Sequence, residues 1–215
     1  MLTRRHATRI LGATALAGVT GLKAMITPAR AADPSSADLA MAGPLGDVWL
    51  GSADAKCTII EYASMTCTHC AAFHRLTWPK LKSTYIDTGK VHFTLREFPL
   101  DPLASAGFML ARCAGNDKYF AMTDLLFDKQ DDWAFVKKPL ESLASLTKQA
   151  GFTQKSFEEC LKNQEIRAGV EAVRSRADTI LGVDATPTFF INGKKYDGEM
   201  NFEAMDKIIA PIVNA

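Results

Sequence analysis

The run Cys57-Thr-Ile-Ile-Glu-Tyr-Ala63 constrains this chain more than any other stretch. Seven residues with almost no polar interruption fit a strand buried on both faces, as in a sheet covered by helices on each side. A helical pattern follows from Cys67, with Phe73, Leu76 and Leu81 mostly on one side. Pro79 lies inside it and should kink it, and Asp87-Thr-Gly89 ends it. Val91–Phe98 then alternates apolar and polar residues, which is strand periodicity. Strand, helix and strand at this spacing make a right-handed βαβ unit.

From Pro102 to Gly182 the period is helical throughout. Helices are expected over Leu103–Ala114, Asp117–Lys129, Leu140–Ala150, Thr153–Asn163 and Gln164–Leu181. The last carries Ile166, Val170, Val173, Ala177 and Ile180 as an apolar stripe, closed by Gly182. Strand character returns at Thr188–Ile191. Asn192-Gly193 signals a hairpin turn with Lys194–Asp197 as the return strand. Asn201 caps a final helix that turns Phe202, Met205, Ile208 and Ile209 inward. The expected class is therefore α/β. A short strand at Asp47–Leu50 precedes the βαβ half, and residues 32–46, rich in Ala, Asp, Pro, Ser and Gly, read as a flexible lead-in.

The charges divide the chain. Residues 1–31 hold five bases and no acid, leaving 20 bases against 24 acids in the remainder. A body of that balance has no sequence-wide electrostatic reason to bind nucleic acid. The N-terminal segment, with Arg4-Arg5, a weakly apolar stretch from Ile10 to Leu22 and the small-x-small triplet Ala29-Arg30-Ala31, reads as an export signal cut after Ala31. Thr3-Arg4-Arg5 also resembles a twin-arginine signal. Export puts Cys57, Cys67, Cys70, Cys113 and Cys160 in an oxidising compartment, the periplasm. The chain is long enough to build a core without disulfides. Some of these thiols are therefore expected to do chemistry.

Cys67-Thr68-His69-Cys70 lies where the buried strand gives way to the helix. A cysteine at a helix start faces unpaired backbone N–H groups and the positive end of the helix dipole. Both favour the thiolate, which is the nucleophile and the better leaving group. A charged or hydrogen-bonding His69 adds to this, while Cys70, one turn in, is sheltered and placed to close a disulfide with Cys67. The competing use of such a pair is zinc binding with His69 or His74. A structural site needs four ligands and no second paired set exists; a catalytic site needs three, so metal binding stays open. Apart from that use, His74 reads as a solvated helix residue.

A strand, a C-x-x-C helix start, a helical insertion at about residues 100–182, and a Thr-Pro dipeptide before a hairpin and final helix together resemble the DsbA-like thiol:disulfide oxidoreductases. The resemblance covers roughly residues 45–215. It implies a thioredoxin fold with a helical insertion between the βαβ half and the C-terminal hairpin plus helix. Cys67 and Cys70 match the family's redox pair, Pro187 its cis-proline, Thr186 the substrate-binding residue before it, and Glu61 a buried acid beneath the site. The departures are Thr68, where the best-known members have proline, and Thr186, where they have valine. Threonine before that proline also occurs in the isomerase branch. A dithiol oxidase is favoured because the short stretch before Gly46 leaves no room for the isomerases' dimerisation domain. The resemblance further implies no cofactor beyond the Cys67–Cys70 disulfide, exported proteins with reduced cysteines as substrates, a DsbB-type membrane oxidase as partner, and a monomer.

Within that frame Cys113 and Cys160, both in the helical insertion, are expected to form a structural disulfide, the alternative being two buried free thiols. Cys57 is left as the unpaired fifth. Glu61 shares a strand face with Ile59 and Ala63; enclosed there, it would exchange a proton with Cys70. Its replacement by glutamine should preserve the fold or even stabilise it by removing a buried acid.

Overall fold

The computed structural model describes residues 34–215, so the expected signal peptide lies outside the described residues. In chain order the elements are α1 (Ser36–Ala40), β1 (Trp49–Leu50), β2 (Cys57–Ala63), α2 (Thr68–Leu76), α3 (Trp78–Leu81), β3 (Val91–Glu97), α4 (Pro102–Cys113), α5 (Tyr119–Asp128), α6 (Gln130–Trp133), α7 (Pro139–Thr147), α8 (Gln154–Lys162), α9 (Gln164–Thr179), β4 (Thr188–Ile191), β5 (Lys194–Asp197) and α10 (Phe202–Asn214). The strands form one sheet in the order β1-β3-β2-β4-β5.

β2 is the middle strand, which is why it has no polar face. It pairs in parallel with β3, Cys57 opposite Val91 and Ala63 opposite Glu97, and antiparallel with β4, Glu61 opposite Phe189. Alternation sends Ile59 and Ala63 into the larger core with Phe93, Leu95, Phe189 and the insertion, and Ile60, Tyr62 and Phe190 into a smaller core under α9. Glu61 takes the larger core's side. The hairpin turns at Asn192 and Gly193, at φ 44° and 86°, the left-handed pair that a two-residue turn requires. The Asn192 amide then joins this turn to β2, accepting from the Thr58 N–H at 2.7 Å. This is the thioredoxin fold with a helical insertion, all of it between β3 and β4.

Several local expectations give way to packing. Residues 34–46 are not a free lead-in: Ser35 caps α1, Leu39 is buried, and Leu45 lies so close to α9 that a Cβ on Gly169 would meet it at 2.4 Å. Composition registers the small residues there but not the two leucines that anchor them. Leu76 is 75% exposed because the helix breaks at Thr77, so its apolar period does not run on into α3. Pro79 sits in the first turn of α3, where its missing N–H costs nothing. Ile180 is exposed because α9 ends one residue earlier and the chain reverses at Gly182, φ 66°. α6, a single turn, carried no periodic signal.

Cys113 at the end of α4 and Cys160 in α8 are joined by a disulfide, Cα–Cα 6.1 Å. Closing a loop of sequence separation 47 removes unfolded-state entropy worth about 4 kcal/mol on the chain-entropy estimate. A Cys113→Ala/Cys160→Ala protein is therefore expected to lose about that much stability in denaturant unfolding. Alkylation of Cys67 should proceed at the wild-type rate, since the bridge is confined to the insertion. A loss below about 1 kcal/mol would show that the unfolded chain is already restricted.

Candidate active site

The site forms where β2 ends, α2 begins and the loop before β4 turns inward. Cys67 is the N-cap residue of α2, with extended φ/ψ of −82° and 120° and no side-chain cap. Its sulfur therefore occupies the place of a capping oxygen, facing the backbone N–H groups of His69 and Cys70. The loop before it is held from three sides. Gln130, fully buried in α6, donates to the carbonyls of Met65 and Cys67 at 2.9 and 3.0 Å. The Ser64 hydroxyl accepts from the Leu100 N–H, and the Thr66 hydroxyl donates to Asp101, the N-cap of α4. Gln130 is 63 residues from Cys67 in sequence, and no motif announces it.

Thr186 closes the other side. The Thr186–Pro187 bond is cis, and the Thr186 carbonyl lies 3.3 Å from Cys67 Sγ, accepting from the thiol. Once the sulfur ionises that bond is lost, and the buried Thr186 hydroxyl, which has no other hydrogen-bond partner, is the side-chain donor available beside it. The Cys67 thiol is lowered from its ordinary 9.0 to about 5. The Cys70 thiol donating to its sulfur contributes most; burial opposes, and the Thr186 hydroxyl and the two backbone N–H groups add to the lowering. Cys70 is fully buried and pushed well above 9.0, first by desolvation and then by its bond to Cys67 and the charges of Cys67 and Glu61. The two thiols are thus driven apart in acidity by one arrangement. Both are free thiols, so the structure represents the reduced dithiol.

The histidines exchange the roles expected of them. The His69 side chain is 71% exposed and its Nδ1 lies 3.2 Å from Glu199, in the loop before α10, so its direct service to Cys67 is its backbone N–H. That loop is tied to the site again by the Gly198 N–H donating to the Pro187 carbonyl. His74, expected in solvent, is buried. Its Nε2 lies 3.2 and 3.1 Å from the two oxygens of Glu61. Glu61 is therefore buried and ion-paired, rather than a lone acid among apolar side chains. The signal was present in part: Cys70 and His74 are four apart, hence on one helix face. That the face points at Glu61 depends on how α2 lies across the sheet.

Cys57, at the far end of β2, is buried, unpaired and pushed up to about 11 by desolvation, with no part in the site. Among the described residues no group of three or more His, Cys, Asp or Glu side chains is arranged to hold a metal ion, and no helix is long and apolar enough to cross a membrane.

Residues 45–210 match the family model described as Thioredoxin. The crystal structure of alpha-DsbA1 from Wolbachia pipientis is 32% identical and superposes with a TM-score of 0.77, covering 84% of this chain and 96% of its own. BdbD from Bacillus subtilis, in its oxidised form, has a TM-score of 0.70 over 85% of this chain and 97% of its own, but at 20% identity that is a likeness of fold alone. A curated Rickettsia bellii protein named as a protein-disulfide oxidoreductase is 33% identical over 170 residues, 76% of this chain and 64% of that protein. The chain spans 53 to 64% of the length of the five curated Rickettsia relatives it matches.

Proposed function

Because this chain belongs to the DsbA-like thiol–disulfide oxidoreductases of the thioredoxin family, we propose that it is a dithiol oxidase acting on exported proteins in the periplasm. The carrying observation is the Cys67 sulfur at the start of α2, held toward the thiolate by Cys70, Thr186 and two backbone N–H groups. Stabilising the Cys67 thiolate stabilises the reduced enzyme, and so makes its disulfide a strong oxidant. A substrate thiolate attacks Cys67 Sγ in the disulfide, the S–S electron pair leaves on Cys70, and Cys70 takes a proton. A second substrate thiolate then attacks the substrate sulfur of the mixed disulfide. The substrate is released oxidised, and the Cys67 thiolate departs at little cost because its pKa is low.

Glu61 serves this exchange as proton carrier for Cys70, whose buried thiolate its charge disfavours. The Thr186 backbone offers an extended substrate a strand-like partner. A DsbB-type membrane oxidase regenerates the disulfide, and the protein works as a monomer without other cofactors.

The equilibrium of Cys67–Cys70 with a glutathione buffer tests the reading. A potential near roughly −120 mV supports the oxidase, and one near roughly −270 mV replaces it with a reductase. A value near roughly −180 mV, with scrambled disulfides repaired from the reduced state, favours an isomerase, the reading to which Thr186 lends itself.

The low pKa has a second consequence. A group whose folded value lies below its unfolded one contributes its stability in full above the unfolded value and loses it as pH falls through the folded value. For Cys67 that window runs from 9.0 down to about 5, and only the reduced protein has it. The melting temperature of the reduced protein relative to the oxidised is therefore expected to fall steadily from pH 9 to 5. Iodoacetamide alkylation should show half-ionisation near pH 5. Parallel melting curves, or alkylation with a midpoint near 8.5, would contradict the assignment.

A further inference from the structure

We propose that His74 is the proton store of the thiol exchange: its Nε2 proton passes through Glu61 to Cys70 when Cys70 leaves the disulfide and returns when Cys70 attacks, while Asp124 fixes the ring nitrogen that takes part. The proposal rests on the reading of Cys67 and Cys70 as an exchanging pair.

His74 stands one helical turn beyond Cys70 on the same face of α2, and Glu61 rises to it from β2. Nε2 meets both carboxylate oxygens at 3.1–3.2 Å. On the opposite side Nδ1 lies 3.7 Å from Asp124 Oδ1 of α5, and neither of those two atoms has any hydrogen-bond partner. They face only each other, and closing the gap by roughly 0.8 Å would make a normal bond. The ring stacks on Phe127 at 4.2 Å and is flanked by Phe73 and Trp78, so it is wedged against flipping. The side chains of His74 and Glu61 are 2% and 0% exposed, whereas Asp124 is 42% exposed. The titratable groups facing the imidazole are thus Glu61 from β2 and Asp124 from α5; the rings of Phe73, Trp78 and Phe127 around it do not titrate.

When Cys70 departs as a thiolate it needs one proton, and an ionised Glu61 has none to give. The His74 imidazolium releases its Nε2 proton to the Glu61 carboxylate as Cys70 takes it on. The result is neutral His74, an unchanged Glu61 carboxylate and a Cys70 thiol. Nδ1 keeps its own proton throughout, turned toward the Asp124 carboxylate, so Nε2 alone is emptied and refilled. When Cys70 later attacks the mixed disulfide at Cys67, its proton goes back along the same path and the displaced sulfur leaves with the electron pair. The acidities support this direction. Burial works against the imidazolium, but the Glu61 charge and the Asp124 contact outweigh it and raise His74 to about 9, still below Cys70.

The test follows the reaction of the oxidised full chain with glutathione by stopped flow from pH 6 to 10, each rate expressed per glutathione thiolate. The wild-type rate should fall through pH 9 as the store empties. His74→Gln should be slower at pH 7, on the order of 10²-fold, and show no such inflection. Asp124→Asn, at a half-exposed position, should fold normally and move the inflection to lower pH; it carries the test alone if His74→Gln does not fold. A flat wild-type profile, an inflection that survives in His74→Gln, or one that Asp124→Asn leaves in place would overturn the proposal. A wild-type protein that exchanges nothing with glutathione would instead overturn the reading of Cys67 and Cys70.

Discussion

A Cys67→Ala protein is expected to exchange no disulfide at all, whereas Cys70→Ala should attack once and stop as a stable mixed disulfide. The asymmetry follows from position. Cys67 is the sulfur at the helix start, beside Thr186, and Cys70 lies beneath it with no exposed surface. Incoming sulfur therefore reaches only Cys67, and when the reduced protein attacks a disulfide, Cys70 is the sulfur of its own placed to free Cys67 again. Cys70→Ala also removes the largest contribution to the low Cys67 pKa, the Cys70 hydrogen bond. In that variant Cys67 should titrate above about 5 and react more slowly at pH 6. Non-reducing electrophoresis after mixing with a disulfide-bonded peptide reads both results. A Cys67→Ala protein that still forms an adduct through Cys70 would show that the burial is not maintained in solution.

Glu61→Gln carries the second large effect, and the buried partner reverses the sign that the sequence suggests. With Glu61 ion-paired to His74, removing the carboxylate leaves the imidazole buried with only the more distant Asp124. A raised folded pKa contributes stability that is complete below the unfolded value, 6.5, and is lost as pH rises through about 9. The variant forfeits that contribution. Its deficit should be greatest at pH 5–6, on the order of 3–5 kcal/mol as for a buried charge deprived of its partner, and shrink toward pH 9. Denaturant unfolding at pH 5.5 and 9 measures it. Resolution of a mixed disulfide by Cys70 should also slow, since the carrier between His74 and Cys70 is gone. Wild-type stability at pH 5.5 would mean that the pair contributes nothing to folding.

The Cys67–Cys70 dithiol at the start of α2 was legible in the sequence because what places it there is local. A cysteine four residues after a buried strand and opening a helix has backbone N–H groups to face, whatever else the fold does. The same holds for Glu61, since an acid within an apolar run shares its neighbours' burial, and for the hairpin at Asn192-Gly193, where two adjacent residues meet the backbone requirement by themselves. Thr186 and Pro187 were found only through family resemblance, because nothing between residues 70 and 186 says that the chain returns to Cys67.

The sequence alone, by periodicity and by short-range chemistry, determined the order of the strands and the longer helices, the βαβ half, the helical insertion and the cysteine that opens α2. Tertiary structure decided the state of the buried charges. His74 has the composition and spacing of a solvent-facing residue until α2 lies over β2 and α5 closes beside it, bringing together Glu61, His74 and Asp124 from three separate elements. Gln130 likewise gains its hold on the active-site loop, and Glu199 its place at His69, only through packing. The physical reason is common to all of them: hydrophobic period and helix-end chemistry act over a few residues, whereas the desolvation and Coulomb energy of an ionisable group depend on every element packed against it.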